Sequence, residues 1–201
     1  MKLKIDFHVH TNASRDAISS IKEIILYAKR MGLDGIAITD HDVMIDPIIA
    51  EKLSEESNLI IIPGIELSTE IGHLIFLEGD LIIIPHPLDF LSHGIGSENV
   101  KELRKLNPAI EVKNGSTLPI FNKMAERLAI KLGLNMIGGS DAHIDFMVGS
   151  AYTIVYTENK SLEAIIRAIK MGKSYAVGGF NHLYLKYIIK KSLIKLNRCF
   201  L

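Results

Sequence analysis

Near the start of the chain an apolar run, Leu3–Phe7, leads into two histidines spaced one residue apart, His8 and His10. In a strand, residues two apart share a face, so both imidazoles point the same way, towards one ion. The pattern recurs. Gly35–Thr39 runs into Asp40-His41-Asp42, Leu59–Ile65 into Glu66, Leu81–Pro85 into His86, and Met136–Gly138 into Ser140-Asp141-Ala142-His143. A lone histidine is usually a hydrogen-bonded structural residue. Five apolar runs that each end in His, Asp or Glu are better read as one metal cluster. Imidazole with carboxylate suits Zn, Mn or Fe, whereas carboxylates alone would suit Mg or Ca. One ion accepts roughly four to six ligands, so a set of this size points to two or three ions.

The elements that must position these side chains are legible as well. The runs above, together with His73–Leu77, Ala109–Val112 and Tyr152–Val155, are near-continuous in Ile, Val and Leu, as strands buried on both faces are. Between several of them lie amphipathic stretches with helix signals. Ser20-Ile-Lys-Glu23 reads as a capping box, with the helix running to about Met31 and stopping at Gly32. Asp46-Pro47 opens another, to about Glu56. Pro119–Leu132 closes at Gly133, Ser161–Met171 closes at Gly172, and a shorter helix is expected over Glu98–Leu106. Alternating strand and helix is α/β architecture, in which ligands bind at the carboxyl ends of parallel strands.

Composition sets the outer bounds. With 201 residues, 48% hydrophobic and 23% charged, the chain can bury a core and is not disordered. Lys+Arg and Asp+Glu number 23 each, which argues against a basic coat for nucleic acid or membrane. The one cysteine, Cys199, excludes a disulfide framework and a Cys-built zinc site, and fits a reducing compartment. No apolar run approaches the ~18 residues of a membrane span, and the first residues are charged and strand-like. A cytoplasmic protein is expected.

Six segments, taken in order, resemble the PHP (polymerase and histidinol phosphatase) superfamily: Asp6-Phe-His8-Val-His10-Thr11 with Asp16 following, Ile38-Thr-Asp-His41-Asp42, Pro63-Gly-Ile-Glu66, Gly72-His73-Leu, Pro85-His86-Pro87 and Gly139-Ser-Asp141-Ala-His143. The resemblance covers residues 3 to 177. It implies a distorted (β/α)7 TIM-like barrel with a trinuclear metal centre at the carboxyl ends of its strands. On that resemblance His8, His10, Glu66 and Asp141 hold one ion. Glu66 bridges to a second, completed by His73 and His86, while Asp16, His41 and His143 hold the third. Asp141, Glu66 and His143 are then the residues expected to carry catalysis. One departure stands out. Only Glu78-Gly79-Asp80 separates the strand of His73 from that of His86, where the family inserts a helix. So short a link favours an antiparallel hairpin, which trims the barrel there. His73 is then either a ligand or a histidine at a sheet edge.

The expected reaction is hydrolysis of a phosphate ester, a small phosphomonoester or nucleotide, by metal-activated hydroxide. Arg15, in the loop after the first strand, is a candidate for a phosphate oxygen, and Lys113 and Asn114 are candidates on the same rim. Asp40 and Asp42 are expected to orient His41 or, for Asp42, to cap a helix; His93 and His182 read as structural. Residues 1–179 form the expected barrel and 180–201 a basic helical tail, with Lys186, Lys190, Lys191, Lys195 and Arg198 and no acid. That tail is expected to pack on the barrel, or else to guide a nucleic-acid strand, dimerise or touch anionic lipid. Two rival functions stand beside the leading one. They are a phosphodiesterase of exonuclease type on single-stranded nucleic acid, and a catalytically silent metal-binding module. Finally, the nine expected ligands include only three carboxylates, so three divalent ions would leave the site about +3.

Overall fold

The carboxyl ends of the ligand-bearing strands are brought together by one continuous sheet. In the computed structural model, which describes residues 1–183, this sheet has nine strands. They are β1 (Lys2–Val9), β2 (Gly35–Ile38), β3 (Ile60–Thr69), β4 (Gly72–Leu77), β5 (Leu81–Ile84), β6 (Ala109–Asn114), β7 (Asn135–Gly139), β8 (Ala151–Tyr156) and β9 (Ser174–Gly178). Their order is β7-β6-β5-β4-β3-β2-β1-β8-β9. All run in one direction except β4 and β8, which are reversed. The sheet curls into a nearly closed, TIM-like barrel. On one side the Gly138 amide donates to Thr153 Oγ1 (2.8 Å), and that hydroxyl donates to the Gly138 carbonyl (2.9 Å), linking β7 to β8. Towards the ligand end, the Asp141 amide donates to the His8 carbonyl (2.8 Å) and the His10 amide to the Ala142 carbonyl (2.9 Å).

Five helices clothe this sheet: α1 (Ile21–Arg30), α2 (Pro47–Ser57), α3 (Gly96–Leu103), α4 (Pro119–Leu132) and α5 (Leu162–Lys170). The expected capping box opens α1, where Ser20 and Glu23 cap each other's amides. Asp46 caps α2, and Pro47 occupies its first turn. Strand side chains divide cleanly. Ile36, Ile38 and Ile61 pack outward against Ile24, Ile25 and Ala28 of α1. Ile84, Ile110 and Val112 pack against Ala125 and Ala129 of α4. Leu3, Ile5, Phe7, Ile62, Ile83 and Ile137 form a second layer that meets Ile165, Ile166 and Ile169 of α5. Each such side chain contributes roughly 1.5–3 kcal/mol when fully buried.

The trimmed link behaves as the sequence suggests. Gly79 (φ 83°) and Asp80 (φ 65°) turn β4 into β5 as an antiparallel hairpin. The reversal carries a consequence for His73. Because β4 runs backwards, its first residues lie at the same end of the sheet as the last residues of β3 and β5. His73 therefore stands among the ligands rather than at a remote edge. The sequence reading did not include β9, a five-residue strand with a single strand partner, β8. The proposed basic tail falls mostly outside the described residues, which include its first four, Phe180, Asn181, His182 and Leu183.

Two irregularities tune which side chains face the site. The β1–β2 register shifts between Asp6 and Val9, so apolar Leu3, Ile5 and Phe7 give way to His8 and His10, while Val9 joins the outer layer. Buried Asp6 pins this shift. Its Oδ1 accepts from the Ser140 amide (2.8 Å) and the His8 amide (3.3 Å), and its Oδ2 from the Gly149 amide (2.9 Å). Burial nonetheless raises its pKa to about 6. Asp6→Ala leaves three amides without their acceptor, at about 1–3 kcal/mol for each that stays unsatisfied. Chemical denaturation should show a loss of roughly 3 kcal/mol; a loss under about 1 kcal/mol would mean that other contacts hold these three segments.

Candidate metal centre

Glu66, at the carboxyl end of β3, is buried and stands at the middle of the cluster. Its Oε2 lies 3.2 Å from both His8 Nε2 and His10 Nε2, and 3.4 Å from His41 Nδ1. Its Oε1 lies 3.1 Å from His73 Nδ1 and 3.3 Å from His86 Nε2. Asp141 Oδ1 completes the first set, 3.5 Å from His8 Nε2 and 3.4 Å from His10 Nε2. At the mouth, Asp16 Oδ2 sits 3.0 Å from His143 Nε2 and 3.5 Å from His41 Nε2. All nine residues named from the sequence thus converge on one place. His73, in doubt from its short connection, is among them.

The donor set fits divalent cations. Tetrahedral bonds of about 2.0–2.2 Å put ligand atoms roughly 3.3–3.6 Å apart. His8 Nε2, His10 Nε2, Glu66 Oε2 and Asp141 Oδ1 stand 3.0–3.5 Å apart in the pairs given above and in the His8–His10 pair at 3.0 Å. The other ring nitrogens explain the orientation. Glu111 can only accept, so its 3.2 Å contact with His8 Nδ1 places the proton there and turns Nε2 towards the cluster. His143 Nδ1 likewise donates to the Asp141 carbonyl (3.1 Å). Ser14 Oγ donates to Asp40 Oδ1 (2.8 Å), so it accepts from His10 Nδ1 (3.2 Å) and from the His41 amide (2.9 Å). His86 Nδ1 is buried without a hydrogen-bond partner.

Electrostatics follow from crowding. Burial opposes charge on His8, but Asp141, Glu66 and Glu111 hold its pKa well above the ordinary histidine value. Burial likewise opposes charge on Glu66, and His8, His10 and His73 hold it well below the carboxylate range. Hydrogen bonds from His143 and His41 hold Asp16 far down. His143 is half-buried, which opposes its charge, yet its pKa is raised to about 9 by Asp16 and Asp141. Two of the nine expected ligands carry positive-φ backbone, His86 at φ 29° and Asp141 at φ 52°. Non-glycine residues rarely adopt this, and such strain gathers at functional sites.

The three substrate-binding candidates part company. The β6–β7 register shifts between Glu111 and Lys113. Asn114 consequently turns inward, fully buried, its Nδ2 donating to Glu111 Oε2 (2.8 Å) and Asp141 Oδ2 (3.3 Å). Lys113 turns towards α4 and pairs with Glu126 (3.0 Å), away from the rim on which the sequence reading placed it. Arg15 is exposed beside Asp16. Asp42 caps no helix: its amide donates to the Glu66 carbonyl (2.9 Å) and its Oδ1 accepts from the Ser68 amide (3.0 Å), tying β2 to β3. Glu111 was missed. Besides His8 and Asn114 it takes the His86 amide (2.9 Å) on Oε2, so one carboxylate braces three neighbours. The signal was present as the lone acid in the apolar run Ala109–Val112.

Glu111→Ala removes the brace and should weaken metal binding about 10–100-fold, read by competition with a chromophoric chelator. Unchanged affinity would reduce Glu111 to a packing residue. In the metal-free protein the raised His143 pKa stabilises the fold fully below about pH 6.5, and this contribution is lost as pH rises through about 9. Denaturant midpoints should therefore fall across that window. His143→Gln should flatten the fall; an unchanged slope would assign it to other groups.

Comparison with known proteins agrees with this geometry. Residues 119–174, which include α4, β7, Asp141, His143 and α5, match the family described as PHP-associated. An uncharacterized protein of Methanocaldococcus jannaschii is 26% identical over 125 residues, 47% of this chain and 73% of its own length. A "probable phosphatase" of Syntrophotalea carbinolica is 51% identical over 41 residues, only 20% of this chain and 17% of its own. In structure, a two-domain protein from Bacteroides vulgatus containing a "predicted PHP-like metal-dependent phosphoesterase" superposes with a TM-score of 0.72 at 21% identity. It covers 89% of this chain, which spans 65% of that protein. Residues 119–174 thus match a PHP-associated family, and the chain as a whole shares the fold of that solved structure.

Proposed function

We propose that this chain is a metal-dependent phosphoesterase that hydrolyses a small phosphate monoester, with two or three Zn, Mn or Fe ions as cofactors. The observation that carries the reading is Glu66, whose two carboxylate oxygens face two separate groups of imidazoles, with a third group at Asp16 beside them. On this reading His8, His10, Glu66 and Asp141 hold one ion, Glu66, His73 and His86 a second, and Asp16, His41 and His143 a third. When bound, such ions make water acidic enough to ionise near neutral pH and offset negative charge on phosphoryl oxygens.

The remaining work belongs to the chain. Asp16, His41, His73 and His143 line a cavity of about 210 Å³ whose far wall is Leu91, Ser92, His93 and Ser116. This is smaller than the roughly 300–1,000 Å³ of drug-sized pockets, which suits a phosphoryl group better than a polymer. Ser116 Oγ donates to the Asp141 carbonyl (2.9 Å), steadying the loop that carries Asp141 and His143. Arg15, exposed next to Asp16, is the side chain we assign to a non-bridging phosphate oxygen. In the reaction the water oxygen bonds to phosphorus and the ester P–O bond breaks. The alcohol oxygen leaves with a proton that came from water.

The test is p-nitrophenyl phosphate turnover by protein loaded with Mn, Zn or Fe, with chelation and reloading. Turnover should vanish on chelation and return with metal. Asp141→Ala and His8→Ala should each lose about 100-fold or more in kcat/KM. Variants as fast as the parent would identify a contaminant. A protein that binds metal yet turns over no ester would be a silent binding module.

A further inference from the structure

Beside the cluster cavity lies a second depression of about 430 Å³, between the β3–β4 turn and the segment Phe90–Gly94. The two cavities share His73 and His93 in their walls, so they lie side by side. We propose that this depression binds the organic part of the ester, and that it selects an aromatic group carrying no second negative charge. The inference rests on the phosphoesterase reading and adds the substrate's chemistry to it.

The wall is built of rings that packing alone does not explain. Phe90 is 73% exposed, a large apolar side chain left open where the depression begins. It is held from behind, edge-on against Phe121 at 5.5 Å and 85°. His93 lies 5.1 Å from His73 with the rings tilted by 33°, which continues the imidazole wall of the metal cavity into the second one. Aromatic pairs at such separations attract beyond simple burial.

The segment bearing these rings is fixed in advance. Buried Asp89 accepts from the Leu91 amide (3.0 Å) and from Ser92 Oγ (3.3 Å), and its carbonyl takes the Gly94 amide (2.9 Å). His93 adopts a left-handed backbone, φ 56°, and its carbonyl accepts from the His73 amide (3.0 Å). Rigid walls spare a ligand the entropy of ordering them. Charge supplies the second half of the selection. Glu70 is the charged side chain of this lining, and it is exposed at the mouth. A second anionic group on the leaving alcohol would meet it and be repelled.

The experiment compares methyl, cyclohexylmethyl, benzyl and 4-carboxybenzyl phosphate on the metal-loaded protein. The cyclohexylmethyl and benzyl esters both release primary alcohols, so their ratio reports mainly recognition. Benzyl phosphate should exceed both the cyclohexylmethyl and methyl esters by about tenfold in kcat/KM, and the 4-carboxyl group should remove that advantage. Phe90→Ala should bring the benzyl-to-cyclohexylmethyl ratio close to one, and Glu70→Gln should restore turnover of the 4-carboxybenzyl ester. Equal kcat/KM for these two esters in the parent, or a ratio that survives Phe90→Ala, overturns the aromatic subsite and leaves the hydrolase standing. Indifference to the 4-carboxyl group overturns the charge selection. Failure to turn over any ester overturns the hydrolase reading itself, and this inference with it.

Discussion

A carboxylate taken out of water has to be met by positive charge or by donors, and Glu66 is such a group. Five imidazole nitrogens within 3.4 Å meet it, from β1, β4 and the ends of β2 and β5. Displacing any one of these strands would take a donor away from that buried charge. The cluster is therefore a structural constraint as well as a chemical one. It is met at the end of the sheet where the co-directional strands finish and the reversed β4 begins.

That requirement accounts for the least regular parts of the sheet. On the edge away from β2, β1 serves two partners in turn, β8 through Lys2–Ile5 and the chain beyond β7 through His8–His10. Changing partner needs the shift between Asp6 and Val9, and a buried aspartate with three amide contacts to hold it. The close approach of β7 needs Gly139, since a Cβ there would stand 2.5 Å from His8 Cβ and 2.8 Å from Glu111 Oε1. Left-handed backbone at His86 and Asp141 belongs to the same account. Hydrophobic layers on either side of the sheet, and α5 against its inner layer, hold the irregular end in place.

What the sequence reveals and what it conceals divide along physical lines. Strand runs, helix caps and ligating residue types are local, and the chain shows them plainly: Ser20 and Glu23, Asp46 and Pro47, Gly133 and the His8–His10 pair all stand where local rules put them. The short Glu78–Asp80 link announced its hairpin. The effect on His73 was not local, because it depends on β4 running backwards between β3 and β5. Register shifts were invisible for a similar reason. Lys113 and Asn114 differ by one position, and an unseen shift decides which of them turns inward. β9 escaped because it is itself an edge strand, short and paired with β8 alone.

Charge gives the last step. Counted over the expected ligands alone, three divalent ions would leave the centre strongly positive. Three further carboxylates, however, are buried against those ligands: Asp6 beneath the His8 amide, Asp40 behind Ser14 and His10, and Glu111 behind His8 and His86. Together they would bring such a centre close to neutral, in a medium where uncompensated charge is expensive. Attraction for the proposed phosphate ester would then be a property of position rather than of total charge. The balancing carboxylates lie behind the imidazoles, and the cavity lining exposes Asp16 with His41, His73 and His143. An anion arriving there meets the cation-holding face first, with the compensating charge behind it and screened by distance.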